Sequence, residues 1–207
     1  MGGEVVKCKA KIYDLNKFNI KDIDKNSVIA LDTNVLYWMH YTRCSMGKQI
    51  PHQTAIYPNI IEELLENDIK LVTTIYNITE LLYIIERHEW EIYKINNNNI
   101  GIKDFRELAN ERINLKNELI TVTEQIKLAY EVIEYPIQIL GLDEFVNNLE
   151  THGCDNFDYL ILKYLKESNI TKVLADDRDY ITIDGITLYT ANKKSVNKAR
   201  DENKLIN

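Results

Sequence analysis

Apolar positions along this chain follow two periods, one short and β-branched, the other helical, and the two alternate. Ser27-Val-Ile-Ala-Leu31 is a short apolar run stopped by Asp32-Thr33-Asn34, which predicts a buried strand. Asn34 to Met39 can begin a helix, with Asp32 or Thr33 capping it. Pro58 predicts the first turn of a helix through Ile60, Ile61, Leu64 and Leu65, ending near Asn67-Asp68. Ile69–Thr73 reads as a second strand. It runs into Ile75, Ile78, Leu81, Leu82 and Ile85, whose spacing predicts an amphipathic helix to about Tyr93. Asn96 to Asn99 is a loop.

Between 102 and 133, Phe105, Leu108, Ile113, Leu115, Leu119, Val122, Ile126 and Ala129 recur among charged residues, predicting one long or two shorter helices. A short helix through Phe145, Val146 and Leu149 follows Pro136. Asp155 to Leu165 predicts a compact helix capped by Asp155 or Asn156. Lys172–Ala175 reads as a strand, Asp176 to Tyr180 as a turn and Ile186–Tyr189 as a last strand. Strand and helix thus alternate, the pattern of a parallel sheet with helices on both faces. Residues 1–26 read as an N-terminal extension with at most a short strand, and 27–192 as a single domain. Within it 102–150 reads as a helical insertion or lid, and 193–207 is a basic tail, helical or frayed.

Composition narrows the class. The 207 residues are 45% hydrophobic and 28% charged, an ordinary globular balance. No run reaches the roughly 18 apolar residues of a bilayer span, so no membrane partner is expected. The start, MGGEVVKCKAK, has no apolar signal core. Cys8, Cys44 and Cys154 are odd in number and in no metal spacing, which suits free thiols in a cytoplasmic compartment. The net charge of −7 weighs against a protein that coats nucleic acid through many cations. It does not exclude one that cuts nucleic acid with a metal ion supplying the positive charge.

The acids fall at particular places. Asp32 follows the first strand and the pair Asp176-Asp177 follows the strand at 172–175. Ligand crevices in open α/β sheets lie beyond such carboxyl ends. Glu80 and Asp158 lie near the starts of helices on the same edge. Four carboxylates in one crevice repel and raise one another's pKa values, and a hard divalent cation relieves them. Asp155, one helical turn before Asp158, is a further candidate.

These segments carry a resemblance. Asp32-Thr33-Asn34, Thr74 to Glu80-Leu81-Leu82, Asp158-Tyr-Leu-Ile-Leu, and Val173-Leu-Ala-Asp176-Asp177-Arg178-Asp179-Tyr180 resemble, in order, the four motifs of PIN-domain nucleases. Their spacings are close to those of the VapC-type toxins apart from a longer middle. The resemblance implies a PIN-like three-layer α/β/α fold with a short central parallel sheet and a helical insertion. It also implies Mg²⁺ or Mn²⁺ held by Asp32, Asp158, Asp177 and Glu80, with Asp155 and Asp176 as additional ligands. The expected substrate is RNA, and the partners it implies are an antitoxin protein and a second copy of the chain. Asp177 is preferred to Asp176 as fourth ligand because Arg-Asp-Tyr follows it. Asn34, Thr74 and Asp179 are expected to support the ligands, and Arg178 or Arg43 to contact the scissile strand. Ala175 departs from the pattern, since a Thr is usual there.

Plainer roles stand beside these. Asp32 alone suits a helix cap, Asp158 suits the helix dipole, Asp177 a turn, and Glu80 a core ion pair. The four histidines form no metal-binding pair and read as structural or surface groups. Tyr37, Trp38 and Tyr41 suit core packing better than base stacking. Lys193, Lys194, Lys198 and Arg200 suit a solvated face better than phosphate contact. A haloacid-dehalogenase-like phosphatase also has an Asp after its first strand, but needs a second Asp where Asn34 stands. A catalytically weak PIN-like RNA-binding or assembly module is the alternative from another functional class.

Overall fold

The computed structural model describes residues 7–46, 52–97, 99–134 and 153–207. Among them, six strands form one all-parallel sheet. They are β1 (Lys11–Asp14), β2 (Val28–Leu31), β3 (Lys70–Thr74), β4 (Glu131–Ile133), β5 (Lys172–Leu174) and β6 (Thr187–Thr190). Their order is β1-β6-β5-β2-β3-β4. The chain winds outward from β2 through β3 to β4, then returns to the other side of β2 for β5 and β6. The winding direction therefore reverses between β2 and β5, which places the expected ligand crevice beyond their carboxyl ends.

Each strand feeds two separate cores. Ile29, Leu31, Leu71, Leu174, Tyr189 and Tyr13 pack on one face. Ala30, Val72, Val173, Leu188 and Ile12 pack on the other. Adjacent strand residues point to opposite faces, so apolar side chains at every position mean that both faces are covered. The first face carries helices α1 (Thr33–His40), α2 (Gln53–Glu66), α3 (Ile75–Asn96) and α5 (Ala109–Ala129), with α4 (Ile102–Glu107) beside α3 and α5. The second carries α6 (Asn156–Glu167), α7 (Lys193–Asp201) and the 3-10 turn Asp179–Thr182. The result is a three-layer α/β/α arrangement. No helix among the described residues is long and apolar enough to cross a membrane.

Four expectations need correction. Residues 131–133 are a strand, not the end of a helix, and β4 pairs with β3 at Val72↔Glu131 through Thr74↔Ile133. Val132 and Ile133 favour a strand, but three residues are too few to set a period, and only the free edge of β3 identifies them. The 102–150 block is therefore not an insertion throughout. The helix at 145–149 lies outside the described residues.

Pro58 lies inside α2, not in its first turn. A proline there removes one helical hydrogen bond. The turn before it is held by Tyr57, whose hydroxyl donates to Asp176 Oδ1 at 2.7 Å and accepts from the Ala191 N–H at 3.1 Å. Residues 11–14 of the expected extension are an edge strand of the sheet, in register with β6 from Lys11↔Thr187 to Asp14↔Thr190. The basic tail is helical over Lys193–Asp201, one of its two expected forms, and is part of the fold. Asn192 caps α7 by accepting from the Lys194 and Ser195 N–H groups, α7 packs on β1, and Leu205 bridges to Ile12.

Candidate active site

Asp32 is set by strand pairing and by its own cap. Leu31 lies opposite Leu174, and the Asp32 N–H donates to the Leu174 carbonyl at 3.1 Å. The ends of β2 and β5 are thereby level. Asp32 then caps α1, its Oδ2 accepting from the Asn34 N–H at 3.4 Å. Asn34 contributes here through its backbone.

Tyr180 joins the acids across the crevice. Its hydroxyl donates to Asp32 Oδ1 at 2.9 Å and stands 3.4 Å from Asp158 Oδ1. Tyr180 is 1% exposed and Asp32 4%, so this contact is made out of water. Asp158 is positioned by the cap of α6, where Asp155 Oδ1 accepts from the Phe157 and Asp158 N–H groups at 2.8 and 2.9 Å. Asp155 thus serves its own helix, while its charge still bears on Asp158.

Glu80 sits at the end of a buried polar chain. Thr74 caps α3 and donates to Asn77 Oδ1 at 2.6 Å while accepting from the Asn77 N–H at 3.2 Å, a reciprocal cap. Asn77 Nδ2 donates to Thr33 Oγ1 at 3.1 Å, and Thr33 Oγ1 donates to Glu80 Oε2 at 2.6 Å. Three neutral residues therefore fix the Glu80 carboxylate.

The structure separates the two neighbouring aspartates. Asp176 is tied into the scaffold, accepting from Tyr57 on Oδ1 at 2.7 Å and from Gln53 on Oδ2 at 3.1 Å. Its backbone carbonyl accepts from Asn192 Nδ2 at 2.8 Å. Asp177, by contrast, acts through its charge on Asp32, Asp158 and Tyr180. Its Oδ1 accepts from the Asp179 N–H at 2.8 Å, so Asp179 braces it through the backbone. Arg178 is exposed beside it. Arg43 lies elsewhere, at the far end of the eight-residue helix α1 and about 12 Å along its axis. It is paired with Glu89 at 2.7 Å, so the structure does not bring it to the acids.

The electrostatics follow from burial and crowding. Burial pushes the Asp32 carboxyl up to about 7 against the Tyr180 hydrogen bond, and the charges of Glu80 and Asp177 add to the rise. Burial and then the charge of Asp32 push Asp158 up to about 8. Burial and the same acids hold the Tyr180 phenol far above its ordinary range, so it stays a hydrogen-bond donor at neutral pH. Cys154 is raised to about 12 by burial and the nearby charge of Asp158, which leaves it an unreactive thiol.

The charges of these acids act on Asp32 and Asp158, yet among the described residues no group of three or more His, Cys, Asp or Glu side chains is placed so that it could hold a metal ion. The Tyr180 hydroxyl stands between Asp32 and Asp158. What the crevice offers is hard oxygen, the carboxylates of Asp32 and Asp158 with that hydroxyl between them, the donor type that a hard divalent cation takes.

Sequence reasoning missed Tyr180, Thr33, Asn77 and Tyr57 as supports of the acids. Asn77 carried a usable signal, since it stands three residues after a capping Thr. Tyr180 stood in the fourth quoted motif without a role of its own, and Tyr57 carried no signal beyond being aromatic. The histidines are accounted for in part by the core: His40 Nε2 bonds Tyr130 at 3.0 Å and His88 bonds Tyr37. Comparison with known protein families finds no matching family, and no curated protein matches the chain.

Proposed function

We propose that this chain is a divalent-metal-dependent nuclease of the PIN-domain kind, an endoribonuclease that hydrolyses phosphodiester bonds. The observation that carries this reading is the mutual electrostatic reach of Asp32, Asp158, Asp177 and Glu80 at the point where the winding of the sheet reverses. An all-carboxylate crevice repels a phosphate backbone until a cation is bound.

In this reading Asp32, Asp158 and Asp177 hold Mg²⁺ or Mn²⁺. Glu80, its Oε2 held by Thr33 at 2.6 Å, would bind a second ion or orient the attacking water. The ion would polarise the scissile phosphoryl group and make water a stronger nucleophile. Tyr180 and Asn34 fix the rotamer of Asp32, and the Asp179 N–H does the same for Asp177. Such supports matter because a misplacement of about 1 Å at the reacting atoms costs on the order of 100-fold in rate.

The test is cleavage of single-stranded RNA with Mg²⁺ or Mn²⁺, beside calorimetric Mn²⁺ titration, on wild type and Asp32→Asn. Saturable Mn²⁺ binding and chelator-sensitive cleavage are expected in wild type, both abolished in the variant. One observation favours the second reading, a PIN-like RNA-binding or assembly module with little catalysis: Tyr180 occupies the gap between Asp32 and Asp158. Equal behaviour of the two proteins, or full activity in excess chelator, would put that reading in place of the nuclease.

A further inference from the structure

All six strands are parallel, so all their carboxyl ends lie along one edge of the molecule. Outward from the acids at β2 and β5, that edge carries exposed cations, and Asp179 and Asp14 lie among them. Arg178 follows β5, Lys193 and Lys194 follow β6, and Lys17 lies in the 3-10 turn Leu15–Lys17 directly after β1. All four are exposed. Two hydrogen bonds join these loops: Asn192 Nδ2 to the Asp176 carbonyl at 2.8 Å and Asn16 Nδ2 to the Ala191 carbonyl at 3.4 Å.

None of the four is in an ion pair among the described residues, although the charge of Arg178 acts on Asp179. What marks them is their shared place along one edge. Two strand spacings of about 4.8 Å, from β5 through β6 to β1, make that stretch roughly 10 Å long.

On the other side of the acids the edge changes character. Phe157, the residue before Asp158, is 49% exposed. Its ring meets that of Tyr76, at the start of α3, edge-on with centroids 6.1 Å apart. A half-exposed ring next to a carboxylate of the crevice is a surface on which an unpaired base can stack.

We infer that this edge is the track of a single-stranded nucleic acid, its phosphates lying along Arg178, Lys193, Lys194 and Lys17 and one base stacked on Phe157 beside Tyr76. The inference rests on the nuclease reading for the acids at the centre of the track. A duplex does not suit it, because paired bases offer no face to Phe157.

The test is fluorescence anisotropy with labelled single-stranded RNA, single-stranded DNA and duplex RNA across a KCl series, in an Asp32→Asn background that blocks cleavage. For single strands the slope of log affinity against log salt falls by about 0.7 for each phosphate that is no longer neutralised. Replacing Lys17, Arg178, Lys193 and Lys194 by Gln should therefore make the slope shallower by about 3 and weaken binding near 0.1 M salt by on the order of 100-fold. A charge-matched control with Gln at Lys25, Lys103, Lys116 and Lys127, all exposed on other faces, should keep the parent slope. Phe157→Leu should weaken single-strand binding by about 5- to 150-fold at every salt concentration without changing the slope.

Equal slopes in the two quadruple variants, or duplex bound as tightly as single strand, would overturn the track. The nuclease reading stands or falls separately, on metal-dependent cleavage by the protein with Asp32 intact. Cleavage with unaltered slopes would sink the track alone.

Discussion

Asp32→Asn should make the metal-free protein more stable at pH 8 while disabling its proposed chemistry. The Asp32 carboxyl is buried and pushed up to about 7 from an ordinary value of 3.8. Below pH 4 it is protonated in both the folded and the unfolded chain, and it leaves stability unchanged. Between about pH 4 and pH 7 the folded chain keeps a proton that the unfolded chain releases, so stability falls as pH rises. Above pH 7 the loss is complete. Three pKa units correspond to about 4 kcal/mol.

Asparagine has the same shape, caps a helix as well as aspartate does, can still accept from Tyr180, and never becomes charged. At pH 8 in EDTA the variant should exceed wild type by about 2–4 kcal/mol, or roughly 5–15 °C in midpoint for a chain of this size. At pH 4 the two should nearly coincide. Mn²⁺ at 100 times its dissociation constant should return about 2.7 kcal/mol to wild type and nothing to the variant. The assay is urea denaturation followed by far-ultraviolet circular dichroism at both pH values, with and without Mn²⁺. A variant less stable than wild type at pH 8, or a gap that does not change with pH, would refute the reasoning.

The neighbouring aspartates should separate cleanly. Asp177→Asn is expected to weaken Mn²⁺ binding by 10-fold or more, whereas Asp176→Asn should cost about 1–2 kcal/mol of stability through its bonds to Tyr57 and Gln53, with Mn²⁺ affinity kept within a few-fold in parallel calorimetry. Thr33→Val removes the 2.6 Å donor to Glu80 and the acceptor of Asn77 Nδ2. It should destabilise the fold by about 1–3 kcal/mol and weaken Mn²⁺ binding by on the order of 10-fold, and unchanged affinity would show that Glu80 needs no such support.

Much of the fold was legible because its signals are local. The β2 run ending in Asp32-Thr-Asn, the α3 period through Ile78, Leu81 and Ile85, and the β5 run ending before Asp176 are short-range consequences of burial on two faces or one stripe. Each appears in the structure within about three residues of its expected bounds. The parallel sheet followed from their alternation. The positions of Asp32 and Asp177 at strand ends were legible for the same reason, because a strand end is visible in one sequence window.

Strands β1 and β4 were not legible as sheet members, because three or four residues carry no period and their strand character depends on the free edges of β6 and β3. Pro58 pointed to a helix start by local rule, and Tyr57 overrode it through contacts with Asp176 and Ala191, more than 100 positions away. The sequence by itself determined the doubly covered parallel sheet and which acids stand at its carboxyl ends. Only the tertiary structure decided that Asp176 braces the scaffold while the charge of Asp177 bears on Asp32 and Asp158, that Arg43 lies at the far end of α1, and that Tyr180 spans Asp32 and Asp158. The physical reason is range. Periodicity and capping act over a few residues and can be read from the chain, whereas the partner of a carboxylate is whichever donor the packed sheet and helices bring within about 3 Å.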